Sequence, residues 1–294
     1  MRPAATTAAA VLSVSALAGC GRLDDLAYEP TQTPESWLAI QPYARLTLVG
    51  REVVLVQPTT SAIVYGLGLL AVVVGARFLW RRRSERSRLW WGVAVILWGV
   101  GALLAGTSYE AFSYAIKCEG RPTCVWTSGW EIGYLLVSVA SFDAIALAVA
   151  YSCALGRARR ALSAYALLNL ALYLVVVAVG VGLANRFLIS FELLLVFVAP
   201  TVVWCFAFNA VRYRRDRQPL DRALLGAWLG LALTIAAYLG YLAAGFTESL
   251  WDRGFWFSAN DVLHVGLIAW MLYLAVVLDP LVVDARPGDR VEPA

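Results

Sequence analysis

Charge is scarce in this sequence. Only 15% of its 294 residues are Asp, Glu, Lys or Arg, against roughly a quarter in soluble globular domains, which excludes that class. Lysine occurs once, at Lys117, and histidine once, at His264. A single histidine leaves no HxxxH or HxxE pair from which a histidine-rich zinc site could be built. The net charge is +4, yet the arginines that supply it stand in short clusters between apolar runs, not on one basic stripe. Nucleic acid is therefore not an expected partner.

Apolar length is abundant instead. Hydrophobic residues make up 61% of the chain, and its mean hydropathy is +0.69. Seven apolar segments lie near 60–80, 89–111, 128–154, 161–183, 187–211, 223–246 and 259–279. Each approaches the roughly 20 residues with which a helix crosses the hydrocarbon of a bilayer. No alternation of period two suggests a barrel, so an all-α polytopic membrane protein is expected, with the lipid bilayer as its first partner.

The connections predict the orientation. Arg77, Arg81, Arg82, Arg83, Arg86 and Arg88, then Arg157, Arg159 and Arg160, then Arg212, Arg214, Arg215, Arg217 and Arg222 fall on one side. The other side holds Lys117, Arg121, Arg186 and Arg253, so the count is fourteen against four. By the positive-inside rule the N-terminal segment is outside and the C-terminus inside. Residues 1–20 end in Leu17-Ala18-Gly19-Cys20 and have the plan of a secretory signal. A bacterial lipoprotein signal with lipidated Cys20, a plain signal and an uncleaved anchor all place the adjoining segment outside. The bacterial inner membrane is the expected location.

Residues 21–58 form a polar external segment in which "LTLVGREVVLVQP" reads as two β-prone runs around Gly50-Arg51, a hairpin. Residues 59–280 form the seven-helix domain, and 281–294 a cytoplasmic tail without structure. Cys118 and Cys124 flank "EGRPT" on the oxidising side, where a short disulfide is expected. Cys153 and Cys205 lie in helices as packing residues. Trp90 and Trp91 at one edge, with Trp126, Trp130, Trp251 and Trp256 at the other, read as interfacial belts. Gly129-xxx-Gly133 and Gly226-xxx-Gly230 read as close helix approaches.

Ionisable groups inside spans are costly, so each calls for a partner or a wet cavity. Glu110, Glu131, Glu192 and His264 fall at similar depth near the outer ends of the second, third, fifth and seventh helices. Asn260, Asp261 and His264 share one face, as do Glu131, Tyr134, Ser138 and Ser141. Together they predict an outward-facing polar pocket, lined by Tyr134, Ser138, Glu192 and Asn260. His264, Glu110 and Glu131 are a candidate ligand set for a divalent metal, with Glu131 and Asp261 as candidate catalytic acids. Without a metal, His264 between carboxylates is a general base or a pH-responsive group. A deeper layer holds Asp143 and Asn169, either hydrogen-bonded between helices or part of an ion pathway.

"GTSYEAF" at the end of the second helix and "NDVLH" opening the seventh resemble the CREST membrane hydrolases, which include alkaline ceramidases and the progestin and adipoQ receptors. That family's helix 7 HxxxH pair would place its second histidine at His264, with Asn260 at the first. Glu110 stands at the helix 2 histidine, Gly106 at the serine, and Glu131 at the helix 3 acid. The resemblance implies a metal such as zinc and hydrolysis of lipid amides or esters. The stretch from Lys117 to Glu131 also resembles uncharacterised bacterial seven-helix proteins with a "KC…GR…C.WTS..E" pattern. Whether the chain is an enzyme stays open: a metal-dependent hydrolase with a lipid substrate, a non-enzymatic receptor, sensor or assembly protein that holds a ligand, a lipid among the candidates, or a partner through the pocket or the N-terminal segment, and a solute or ion transporter all fit.

Overall fold

Hydrocarbon leaves the backbone no partner but itself, and the chain answers with helices. The computed structural model describes residues 21–48 and 50–286; the expected signal segment with Cys20, and residues 287–294, lie outside them. The N-terminal segment contributes a short helix α1 (Pro34–Ala39) and the hairpin β1 (Tyr43–Leu48) and β2 (Arg51–Val56), paired from Tyr43↔Val56 to Leu48↔Arg51. The expected hairpin is present, its turn carried by Gly50 at φ +75°, a left-handed position open to glycine at no cost.

Among the described residues seven helices are long and apolar enough to cross a membrane. They are α2 (Pro58–Trp80), α3 (Arg86–Ala105), α5 (Gly129–Cys153), α6 (Gly156–Leu183), α7 (Phe191–Asp216), α8 (Pro219–Ala243) and α10 (Ala259–Tyr273). Pro58 and Pro219 open α2 and α8, where a missing N–H costs nothing. The fourth span begins at Gly156, earlier than its apolar run suggests, because Arg157, Arg159 and Arg160 form its first turn. A π-turn over Gly106–Ala111 extends α3, α4 (Ser113–Lys117) comes after it, and α9 (Phe246–Trp251) precedes α10.

Six of the spans close a ring in the order α2, α3, α5, α7, α8, α10, with α10 returning to α2. The remaining span, α6, packs outside the ring against α5 and is tied to α7 by Tyr165 and Thr201 at 2.9 Å. Its outer face, with Leu167, Leu168, Leu172 and Val175, is exposed, as suits lipid contact. Backbones meet where α2 crosses α3: a Cβ on Gly99 would stand 2.7 Å from the Gly68 carbonyl. This approach is not among the expected ones. Gly226 does pack against Tyr273, whereas Gly129 has nothing near it.

The arginine clusters do more than signal sidedness. Asp279, fully buried, accepts from Arg77 at 2.8 Å, Arg81 at 3.2 Å and Arg88 at 2.5 Å. The chain beyond it is not a free tail as far as Arg286. Asp284 accepts from the backbone N–H groups of Arg86 and Ser87, Ala285 bonds to Tyr151, and Arg286 pairs with Glu85. Those N–H groups at the start of α3 have no intrahelical partner, so a carboxylate there is doubly favoured. Trp91 is likewise not a belt residue but core, stacked on Phe78 at 6.1 Å; Trp130 and Trp256 are exposed at the opposite end.

Asp279→Ala should strand its guanidiniums around a buried gap and lower stability by about 3–5 kcal/mol. Arg81→Ala, whose side chain is half exposed, should cost about 1 kcal/mol or less. Thermal unfolding in nanodiscs compares the two, and equal losses would refute the assignment of Asp279 as the hub.

Candidate functional site

At the end opposite the arginines, the N-terminal segment folds over the bundle as a cap. Trp126 N–H donates to the Leu26 carbonyl at 2.6 Å and Cys124 N–H to that of Gln32 at 2.8 Å. The expected Cys118–Cys124 disulfide is present, packed with Trp37. Beneath it lies Lys117, whose position in the sequence suggests only a loop cation. It is 1% exposed. Its ammonium donates to the Tyr28 hydroxyl at 3.0 Å and the Trp126 carbonyl at 3.3 Å, and pairs with the carboxylate of Glu131. The ring of Tyr109 stands 5.0 Å away, that of Tyr28 5.5 Å and that of Trp37 5.8 Å. A compact ammonium with three donors suits such a cage, where cation–π attraction offsets part of the lost hydration. Burial raises the Tyr28 phenol above its ordinary value, and the Lys117 charge pulls it back in part.

The π-turn aims Glu110 inward. One extra residue per turn rotates the chain after Ala105, a device common at functional sites. Thr107 and Ser108 bond back to Leu103 and Leu104 and stabilise the turn. Glu110 is buried and accepts from Asn260 at 3.4 Å through one oxygen. Asp261, beside Asn260, caps α10: it accepts from Ser258 N–H at 2.5 Å and from Thr60 Oγ1 at 3.1 Å. The other oxygen of each carboxyl, Glu110 Oε2 and Asp261 Oδ1, has no hydrogen-bond partner among the described residues, nor has His264 Nδ1.

A cavity of about 400 Å³ lies inside the ring, and all six ring helices line it. Tyr134, Ser138 and His264 supply polar groups towards the capped end, while Trp98, Phe142 and Trp228 form apolar wall. Trp98 packs on Phe142 at 5.1 Å and on Trp270 at 4.9 Å. Tyr109 meets Tyr134 edge to face at 5.9 Å, so the Lys117 cage abuts the polar end of the cavity. A larger hollow, about 710 Å³, lies at the arginine end. Its guanidiniums are engaged, Arg212 with Asp221 and Arg215 with Asp216, and its rim ends at Arg286.

The sequence candidates divide accordingly. Tyr134 and Ser138 line the cavity as expected, and His264 joins them. Glu192 does not: it is exposed in the first turn of α7, where water and the helix dipole both favour a carboxylate. Asn260 is absent from the cavity wall and serves Glu110. Glu131, expected as metal ligand and acid, is occupied by Lys117. Among the described residues no three His, Cys, Asp or Glu side chains form a group that could hold a metal ion. The expected set of His264, Glu110 and Glu131 is therefore not assembled, because a lysine supplies the positive charge that one of its members needs. Asp143 takes the hydrogen-bonded option, accepting from Asn169 at 3.0 Å, and Asn169 also reaches the Phe197 carbonyl at 3.4 Å. The apolar walls from α2 and α8 escape sequence reasoning, since an inward Leu reads like an outward one. Lys117 offers one signal, as the lone lysine in an arginine-using chain.

The profile of a family of unknown function (DUF6962) matches residues 60–279. The chain belongs to that family. The matched stretch holds the ring but for the first two residues of α2, together with Lys117, Tyr109 and Glu131, but not Tyr28 or Trp37 of the cap. No curated protein and no solved structure matches.

Lys117→Met should leave Glu131 buried without its counter-charge and cost about 3–5 kcal/mol. Adding Glu131→Gln should recover most of that loss. A double-mutant cycle by thermal unfolding reads the coupling; additive losses would show that the two side chains do not act as a pair.

Proposed function

We propose that this protein is a membrane-embedded binding protein that holds one amphipathic small molecule in its central cavity. The observation that carries the reading is the ring itself: six helices surround a hollow with apolar walls and a few hydrogen-bonding groups, Tyr134, Ser138 and His264, near one end. Its volume lies in the range of small-molecule sites, and mostly apolar walls with few polar groups are what such sites share. Binding without turnover fits better than metal-dependent hydrolysis, since Glu131 is neutralised by Lys117 and Asp261 is engaged as a helix cap. It fits better than transport, since Asp143 is held in a tie between α5 and α6.

Purified protein in nanodiscs should carry close to one equivalent of an extractable amphiphile, identified by native mass spectrometry. Ser138→Trp should displace it by filling the hollow. His264→Ala should weaken its binding by about tenfold, the worth of one hydrogen bond. Release of a hydrolysed product instead would overturn binding in favour of catalysis.

The orientation belongs to the same proposal: cap and disulfide outside, arginine clusters in the cytoplasm, in a bacterial inner membrane. Fourteen cationic residues against four support it. Cysteines introduced at the exposed positions Asp252 and Ser84 test it with a membrane-impermeant maleimide. Asp252→Cys should label in intact cells and Ser84→Cys only after permeabilisation; the reverse pattern would invert the topology.

A further inference from the structure

The walls of the cavity are not equally enclosed. Of the residues that line it, Phe191, Leu195, Ala199 and Val203 on α7 and Ala232 and Ile235 on α8 are exposed at the protein surface, and those on the other four ring helices are not. The four on α7 are spaced four residues apart and form one stripe along that helix. The hollow therefore opens sideways, through a slit between α7 and α8.

The rest of the structure explains why the slit is there. The two helices are clasped at the arginine end, where Asp221 accepts from Asn209 at 3.2 Å and Arg212 at 3.1 Å, and Trp228 donates to Asn209 at 3.2 Å. The slit begins beyond this clasp and runs toward the capped end. That end is itself roofed by the Lys117 cage and by the Glu110–Asn260 bond, and among the described residues none of the cap or the loops lines the cavity. Beyond Phe191, which neighbours the water-exposed Glu192, the opening lies within spans whose outer faces are apolar, so what passes through it there comes from hydrocarbon.

The walls also restrict the polar end of the occupant. Among the described residues no Lys or Arg lines the cavity, and two buried carboxyls, Glu110 and Asp261, stand beside the α10 face that carries His264. A phosphate or carboxylate placed there would be desolvated without a counter-charge from the cavity wall. Tyr134, Ser138 and His264 offer neutral donors and acceptors instead. Resting on the cavity-binding reading, we propose that the occupant is an uncharged single-chain amphiphile, with a hydroxyl or amide at its polar end, admitted from the bilayer between α7 and α8.

The test uses the full chain in vesicles and a monoacylglycerol with a diazirine in its acyl chain. Photolysis should label cavity-wall peptides containing Trp98 or Phe142. Ala199→Trp with Ala232→Trp should slow the onset of that labelling at least tenfold, as should the milder Ala199→Phe. Leu239→Trp, on the exposed face of α8 but not lining the cavity, should leave it unchanged. A monoacyl phosphatidate with the same chain should label at least tenfold less. If no wall peptide is labelled in the unaltered protein, the cavity-binding reading itself fails. If the walls are labelled but Ala199→Phe and the double variant load at the normal rate, the lateral route is overturned and binding stands. Equal labelling by the phosphatidate would overturn the uncharged class.

Discussion

An unpaired polar group in hydrocarbon costs several kcal/mol, and this cost organises the whole molecule. The backbone meets it by folding into seven spans. The side chains meet it by pairing between helices that are distant in sequence. Asp279 after α10 gathers arginines from around α2 and α3. Asp221 joins α8 to α7, Asp143 joins α5 to α6, and Lys117 joins the capped loop to Glu131 on α5. Each tie is worth little as net stability but much as specificity, since slipping one helix by a turn would strand a charge. Apolar packing alone, between surfaces as greasy as the lipid, supplies no such register.

The same cost decides how far the sequence is legible. Span number, the hairpin and the cysteine pairing arise from local patterns: apolar length, β-prone runs about a glycine, two cysteines on a short loop. Pairing partners do not, because a carboxylate at a given depth carries no mark of which helix will face it. Glu131 illustrates the difficulty. By residue type and depth it looks like a ligand beside Glu110 and His264, yet a lysine fourteen residues earlier folds inward under the disulfide and takes it. Asp279 reads as the start of a free tail, because a carboxylate at a helix end is usually solvated; here the arginines that signal sidedness enclose it. The cavity is legible only by its polar residues, Tyr134, Ser138 and His264. Its apolar walls come from helices with apolar residues on every side, which hold no amphipathic stripe to read.

One part of the polar layer stays incompletely satisfied. Glu110 Oε2, Asp261 Oδ1 and His264 Nδ1 are buried and find no partner among the described residues, although Asn260, Ser258 and Thr60 satisfy what lies around them. Buried polar atoms without a protein partner are uncommon, and each calls for an explanation, an ordered water among them. The π-turn, tied down by Thr107 and Ser108, sets the helix rotation at which Glu110 meets Asn260 on α10. Fully satisfied networks such as Asp279 with its arginines mark the architecture. The incompletely satisfied one includes the histidine that lines the cavity, and on the proposed reading it is there that an occupant's polar end would find partners.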